Sequence, residues 1–152
     1  MRYYFDTSAL CRYYHTESGT PKVEHLIQNA SATHVLSWLT VLETQSAFAL
    51  KVRTGEIVEA DFAVLVKRLK AEIAARRFLV TRVLRRHFDR AERLIRQYGL
   101  QQRLRSLDAL HLGVALDLHE HGHIDTLVST DATLLDVGQK EGLSIINPLA
   151  TP

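Results

Sequence analysis

The chain has 152 residues, which suits one domain with one sizeable core, and it is 46% hydrophobic and 24% charged, as is usual for a globular protein. No apolar run approaches the ~20 residues that span a bilayer, and residues 1–6 lack the apolar stretch of a signal peptide. The single cysteine, Cys11, cannot form an internal disulfide. We therefore expect a single domain over residues 1–152, located in the cytoplasm and without a membrane partner.

The net charge of +2 is unevenly distributed along the chain. Residues 67–105 hold 13 of the 19 basic residues and three of the 17 acidic ones, so the remainder of the chain is negative. A basic middle joined to acidic flanks suggests a polyanionic partner and a separate site that collects carboxylates. A solvated helical face would account for the basic residues equally well.

Short apolar runs alternate with helical periodicity in the first part of the chain. Thr7 or Ser8 can cap the first helix, Pro21 suits the first turn of the second, and Gly55 ends the third. The predicted elements are a strand at Arg2–Phe5, a helix directly after it, a helix from Gly19 to about Asn29, a strand at His34–Ser37 and a helix at Leu39–Arg53.

The alternation continues to the end of the chain. Ser106 and Asp131 are placed to cap two of the later helices. The predicted elements are an amphipathic helix over Val58–Ile73, a strand within Phe78–Val83, a helix at Arg86–Tyr98, a helix from Ser106 to about His121, a strand at Thr126–Ser129, a helix from Asp131 to near Gly142 and a strand at Ser144–Ile146. This order favours an α/β domain in three layers, with a mostly parallel sheet of four to five strands and helices on both faces.

Four acidic residues fall at equivalent places in these elements. Asp6 and Asp131 follow the carboxyl ends of predicted strands, whereas Glu43 and Asp108 lie near the starts of predicted helices. In a parallel sheet these places share one edge, where ligands bind. The four acids, spread through the sequence, can therefore converge.

Each acid also has a structural interpretation. Asp6 and Asp131 can be helix caps, and Asp108 can offset a helix dipole. Glu43 is harder to explain in this way because its helical neighbours form an apolar stripe, against which an unpaired carboxylate is costly.

Four carboxylates at one edge predict a cation. Each pair at 4 Å repels by roughly 4 kcal/mol at an effective dielectric of about 20. All-oxygen ligands favour Mg²⁺ or Mn²⁺ over zinc, and such an ion can activate water for attack on a phosphodiester. The hydroxyl groups of Ser8 and Thr130 can orient water or phosphate there, or can act as local caps.

Five segments resemble the PIN-domain family and, within it, the VapC-type toxins of toxin–antitoxin pairs. They are Tyr4–Leu10, Ser37–Glu43, Ser106–Leu112, Leu127–Leu135 and Gly142–Pro148. Each segment is short, but their order and spacing fit the family over essentially the whole chain. Gly113 departs from the alanine that the family usually has there, which affects the fit between helices more than the chemistry.

The resemblance implies a Mg²⁺- or Mn²⁺-dependent endoribonuclease that forms a homodimer and is blocked by a cognate antitoxin protein. It assigns Asp6, Glu43, Asp108 and Asp131 to the metal site and Ser8 or Thr130 to supporting roles. The basic segment would follow the phosphate backbone of the RNA substrate. The arginines that we expect to contact RNA are Arg82, Arg85, Arg86 and Arg90.

Other candidate sites carry less weight. His111, His119, His121 and His123 could gather around zinc only if a helix end frays, and Cys11 has no nearby partner for nucleophilic catalysis. Two other functions remain open, namely an RNA- or protein-binding module with this fold but no catalysis, and a structural subunit whose acids bind basic residues of a partner.

Overall fold

The computed structural model describes residues 1–150, which form a five-stranded, all-parallel sheet flanked by helices. The predicted α/β fold is confirmed, and the strand order is β3-β2-β1-β4-β5. The elements are β1 (Arg2–Phe5), α1 (Thr7–Tyr14), α2 (Thr20–Gln28), β2 (Thr33–Ser37), α3 (Trp38–Arg53), α4 (Glu59–Ala74), β3 (Leu79–Thr81), α5 (Arg85–Tyr98), α6 (Ser106–Glu120), β4 (Thr126–Val128), α7 (Ala132–Lys140) and β5 (Ser144–Ile146).

The central strand β1 separates two hydrophobic cores. Tyr4 faces a core that it shares with α5, α6 and α7, whereas Tyr3 and Phe5 face a core built with α1 to α4. This division follows from the two-residue period of a strand, which turns successive side chains to opposite faces. Because both faces are covered, β1 is an unbroken apolar run and the domain has three layers.

The strand order reverses beside β1. The chain places β2 and β3 on one side of this strand and β4 and β5 on the other, so that Tyr4 pairs with Val35 in β2 and with Leu127 in β4. The backbone N–H of Asp6 donates to the carbonyl of Val128 at 3.1 Å. The carboxyl ends of β1 and β4 therefore lie side by side, at the kind of position where open α/β sheets bind ligands.

The first helix is capped by Asp6, which the sequence also allowed, and not by Thr7 or Ser8. The carboxylate of Asp6 accepts a hydrogen bond from the backbone N–H of Ala9 at 2.9 Å. The strand β1 thus passes directly into α1 through one residue.

One later helix cap differs from the prediction. Ser106 is the first residue of α6 and not its cap, and the side chain of Asp108 instead accepts from the backbone N–H of Arg105 at 3.2 Å. Helix α7 ends at Lys140, close to the predicted end near Gly142. None of the helices in the described part of the chain has the length and apolar character needed to cross a membrane.

Helices α5 and α6 approach closely at Gly113. A Cβ atom built at this position would lie 2.5 Å from the backbone carbonyl oxygen of His87. One turn further along α6, Asp117 accepts hydrogen bonds from Arg86 Nε at 2.8 Å and from His87 Nε2 at 3.1 Å. The bond from Arg86, assisted by His87, lowers the pKa of Asp117 to about 2.

We expect Gly113→Ala to lower the free energy of unfolding by about 1–3 kcal/mol, because the added methyl group meets backbone that cannot turn away. Urea denaturation measures the change. Gly138→Ala is the matched control, since its Cβ would meet the side-chain ends of Leu127 at 3.2 Å and Leu112 at 3.3 Å. An equal loss in both variants would contradict the backbone clash.

We expect Asp117→Asn to destabilise the protein at pH 7 and to lose this effect in acid. The pKa of Asp117 is lower in the folded chain than in the unfolded one, so its contribution is complete above about pH 4 and disappears as the pH falls through about 2. Urea denaturation at several pH values tests this. A difference between the proteins that does not change with pH would mean that Asp117 acts through shape and not through charge.

Candidate active site

The four acids predicted from the sequence surround one cleft at the carboxyl edge of the sheet. The cleft has a volume of about 360 Å³, and Asp6, Glu43, Asp108 and Asp131 all line it. Asp6 follows β1 and Asp131 caps α7 just beyond β4, while Glu43 lies in α3 and Asp108 in the first turn of α6. Four separate elements therefore each contribute one carboxylate.

Asp6 is the most deeply buried of these acids, with 4% of its surface exposed. Its carboxylate accepts hydrogen bonds from Ser129 Oγ at 2.6 Å, Ser8 Oγ at 2.9 Å and the backbone N–H of Ala9 at 2.9 Å. Burial raises the pKa of Asp6, and the electrostatic influence of His111 and these hydrogen bonds oppose the rise. Ionising Asp6 is therefore less favourable than ionising a carboxyl group in water, and a cation in the cleft would favour it.

The two predicted supporting residues contribute in different ways. Ser8 Oγ donates to Asp6 and accepts from the backbone N–H of Thr130 at 2.9 Å, so Thr130 acts through its backbone. The hydroxyl that reaches Asp6 from the β4 side is that of Ser129, which the sequence analysis did not select. Ser129 Oγ also accepts from the backbone N–H of Asp131 at 3.0 Å and thereby links two of the acids.

Glu43 has polar partners where the sequence showed an apolar stripe. Its Oε2 atom accepts hydrogen bonds from Thr7 Oγ1 at 2.7 Å and from His111 Nε2 at 2.6 Å. Burial favours the neutral form, but these two bonds, together with the electrostatic influence of His111 and Arg105, outweigh it and the pKa of Glu43 is lowered. Glu43 is thus held as a carboxylate at the wall of the cleft.

His111 is a site residue that the sequence analysis grouped with the histidines further along the chain. It is buried in α6, one turn after Asp108, and its Nδ1 atom bonds to the hydroxyl of Tyr4 at 2.9 Å. Tyr4 in turn donates to Ser37 Oγ at 3.0 Å. This chain of hydrogen bonds holds the imidazole with Nε2 towards Glu43. The three-residue spacing from Asp108, which places both side chains on one helical face, is the signal that could have identified it.

The remaining histidines and the cysteine do not form a site. His119 Nδ1 donates to the carbonyl of Ile124 at 3.3 Å, and His121 Nδ1 donates to that of Asp117 at 2.7 Å. Both rings therefore bond to backbone carbonyls around the end of α6. Burial raises the pKa of the Cys11 thiol to about 12, which keeps it protonated and a poor nucleophile.

Asp108 and Asp131 share a basic neighbour. Arg105 Nε donates to Asp108 Oδ2 at 3.0 Å, and Arg105 Nη2 lies 3.9 Å from Asp131 Oδ2. Asp131 Oδ1 accepts from the backbone N–H of Leu134 at 2.9 Å and so caps α7 as predicted. Both acids therefore cap a helix and also line the cleft.

The arginines that we expected to contact RNA are not among the residues that line this cleft. Arg82 is exposed just beyond β3, and the other three form the ion pairs Arg85–Asp89, Arg86–Asp117 and Arg90–Glu120. Asp117 and Glu120 lie about 14 and 18 Å beyond Asp108 along α6, at 1.5 Å per residue. The basic residues that line the cleft are Arg12, Lys51 and Arg105.

The donor set around the cleft fits a hard divalent cation, since every acidic side chain offers oxygen. Within residues 1–150, no three of the four acids bring carboxylate oxygens within 4.8 Å of one another. Mg²⁺ commonly binds one or two carboxylates and keeps several waters, which suits such an open arrangement.

His15, Glu17 and Glu56 form a tighter group of potential ligands, of which Glu17 and Glu56 also line the cleft. Lys51 Nζ is 2.5 Å from Glu17 and 2.8 Å from Glu56. An ammonium group of the chain itself therefore already contacts both carboxylates, so their proximity is explained without a metal ion.

The family model of the PIN domain matches residues 3–140, so the chain belongs to the PIN-domain family, whose members are nucleases. This confirms the family predicted from the five segments. No curated protein matches the chain by sequence.

Solved structures with this fold include a bacterial toxin. VapC20 of Mycobacterium tuberculosis, described as a sarcin-ricin loop cleaving toxin, is 15% identical with a TM-score of 0.67, over 96% of this chain and 99% of that one. VapBC2 of Rickettsia felis, bound to promoter DNA, is 17% identical with a TM-score of 0.62, over 97% and 98%. FitAcB of Neisseria gonorrhoeae is 14% identical with a TM-score of 0.63, over 96% and 97%. At these identities the similarity concerns the fold.

We expect Asp6→Asn to increase the free energy of unfolding at pH 7 in the presence of EDTA, by up to about 2 kcal/mol, because a buried carboxylate is replaced by a neutral amide of the same shape. The pKa of Asp6 is higher in the folded chain than in the unfolded one, so the wild-type protein loses stability as the pH rises through the interval between these two pKa values. The stability gained by Asp6→Asn should therefore shrink as the pH falls towards 4.

Urea denaturation of the two proteins provides this measurement. Asp136→Asn is the control, because Asp136 is exposed, accepts from Lys140 and has a lowered pKa, so its loss should not stabilise the chain. Destabilisation by Asp6→Asn in EDTA would show that burial of the Asp6 carboxylate does not lower the stability of the metal-free protein.

Proposed function

We propose that the chain is a metal-dependent endoribonuclease and the toxin of a toxin–antitoxin pair. The observation that carries this proposal is that four acids from four separate elements surround one cleft, with Asp6 buried among hydroxyl and backbone donors. A divalent cation bound in this cleft would explain why four carboxylates lie around it. The PIN family to which the chain belongs supports hydrolysis of a nucleic acid.

Each acid has a role in this proposal. Asp6, Asp108 and Asp131 would hold Mg²⁺ or Mn²⁺ directly or through water. When bound, the ion supplies a Lewis acid that activates water and offsets charge on the phosphodiester. Glu43 would bind the ion or orient the attacking water. Its Oε2 atom is occupied by Thr7 and His111, so Oε1 is the oxygen available to the cleft.

RNA is the proposed substrate. The M. tuberculosis protein with this fold is described as cleaving the sarcin-ricin loop, which supports RNA over DNA for the present chain. Arg12, Lys51 and Arg105 line the cleft and would contact phosphates beside the scissile bond. RNA that extends beyond the cleft would be contacted by the arginines predicted from the sequence, namely Arg82, Arg85, Arg86 and Arg90.

The proposed partners are an antitoxin protein and a second copy of the chain. The R. felis structure is described as VapBC2 with promoter DNA, which supports an antitoxin partner for a chain of this fold. An antitoxin that inserts a basic side chain among the four acids would block the cleft and explain inhibition. We propose that the complex acts in the cytoplasm.

The alternative is a binding module with this fold and no catalysis. It would leave the burial of Asp6 without a function, because a binding surface does not need a carboxylate that is 4% exposed. Cleavage of RNA with and without EDTA separates the two possibilities.

We expect wild type to bind Mn²⁺ in calorimetry and to cleave a mixed RNA pool, whereas the Asp6→Asn/Asp108→Asn variant should do neither. Loss of two charge-bearing ligands removes most of the attraction for the ion. The cleavage rate should fall by at least about 100-fold, as loss of transition-state charge stabilisation commonly causes.

Asp136→Asn is again the matched control, since it removes one carboxylate outside the cleft, and it should retain both binding and cleavage. Circular dichroism should show all the proteins folded. Equal Mn²⁺ binding by wild type and the double variant would place the metal elsewhere and favour the binding module.

A further inference from the structure

Arg105 occupies an unusual position for a basic residue at the edge of a cleft. It precedes α6, and its guanidinium donates to both oxygens of Asp108, at 3.0 Å from Nε and 3.4 Å from Nη2. The same Nη2 atom is 3.9 Å from Asp131 Oδ2. One side chain thus lies between two of the four acids, which come from different helices.

The other basic residues at the cleft are engaged elsewhere. Lys51 binds Glu17 and Glu56, and Arg12 donates to the backbone carbonyls of Ser8 and Ser18. In the described part of the chain, Arg105 is therefore the Lys or Arg side chain that pairs with the four acids. In the metal-free protein it offsets part of the repulsion between the carboxylates.

The contacts of the Arg105 side chain with the two acids can be broken at little cost in stability. Its side chain is 65% exposed, and an exposed ion pair contributes little to stability. The backbone N–H of Arg105, and not its guanidinium, makes the capping bond to Asp108 at 3.2 Å. The guanidinium can therefore leave the two acids while α6 keeps its first turn.

A phosphate group is the natural second partner of this guanidinium. Its planar donors match the oxygens of phosphate as well as those of a carboxylate. Asp108 and Asp131 are the acids that Arg105 contacts, and both line the cleft in which a scissile phosphate would lie. A divalent cation bound to these acids would replace the charge of Arg105 and free it for the substrate.

We propose that Arg105 is an exchangeable counter-ion, which binds Asp108 and Asp131 in the absence of metal and turns to a phosphate of the substrate when a divalent cation takes its place. This inference rests on the proposed nuclease function and adds a residue that both competes with the metal and binds the RNA. Because it competes, its removal should have opposite effects on the two ligands.

The test uses Arg105→Gln and Arg105→Lys in the full chain. Calorimetry with Mn²⁺ alone, without RNA, should show tighter binding to Arg105→Gln by about three- to tenfold, the range expected when a weak competing ion pair is removed. RNA cleavage at saturating Mn²⁺ should show a KM raised by about tenfold or more. Arg105→Lys keeps the charge but loses the planar fork, so its Mn²⁺ affinity should stay near wild type while its KM rises.

Arg103→Gln is the matched control, because it removes the same charge two residues away from an exposed side chain that forms no ion pair within residues 1–150. Its Mn²⁺ affinity should stay within about twofold of wild type, since screening weakens a more distant charge. If Arg103→Gln binds Mn²⁺ more tightly by the same factor as Arg105→Gln, the loss of any nearby positive charge explains the tighter binding, and the proposal is overturned. Thermal unfolding of each variant should remain cooperative.

The outcomes separate this inference from the proposed function. If wild type binds Mn²⁺ and cleaves RNA but Arg105→Gln binds Mn²⁺ no more tightly, or keeps its KM, the exchange is wrong and the nuclease function stands. If wild type neither binds Mn²⁺ nor cleaves RNA, the proposed function fails and the exchange fails with it.

Discussion

The burial of the Asp6 carboxylate is the constraint on which the site depends. Asp6 ends the central strand, caps α1 through Ala9 and is bonded from the β4 side by Ser129. One side chain thus joins three elements at the point where the strand order reverses, and the same residue lines the cleft. The fold must provide donors on every side because the carboxylate is out of contact with bulk water. A cation in the cleft would add a positive charge to this arrangement.

The sequence predicted the acids better than it predicted their partners. Asp6 and Asp131 could be located because strand ends and following helices of a parallel sheet share one edge, a rule that needs no knowledge of side-chain contacts. His111 and Ser129 are not selected in this way, because His111 lies within the apolar run of α6 and Ser129 is predicted as the last residue of a strand and not as a hydrogen-bond donor of the site. Their role depends on distances to Glu43 and Asp6 across the sheet, and a single sequence does not contain these.

The basic segment shows a second limit of sequence reasoning. Its charge is visible in the composition, but the partners of its arginines lie on other elements. Arg86 and Arg90 pair with Asp117 and Glu120 of α6, and Arg93 pairs with Glu141 beyond α7. Much of the positive charge therefore joins α5 to its neighbours on the face of the sheet. The positive charge at the cleft comes from fewer residues than the sequence suggested.

The distribution of the acids along the chain has an evolutionary consequence. Residues 57–104, which include α4, the edge strand β3 and α5, contribute none of the four carboxylates and no other residue that lines the cleft. Mutations and changes of loop length can accumulate in this third of the molecule provided that the two cores stay filled, without disturbing the cleft. Divergence can therefore proceed at very different rates in two parts of one domain. A segment free to vary in this way is where related chains would acquire new partners while retaining one chemistry.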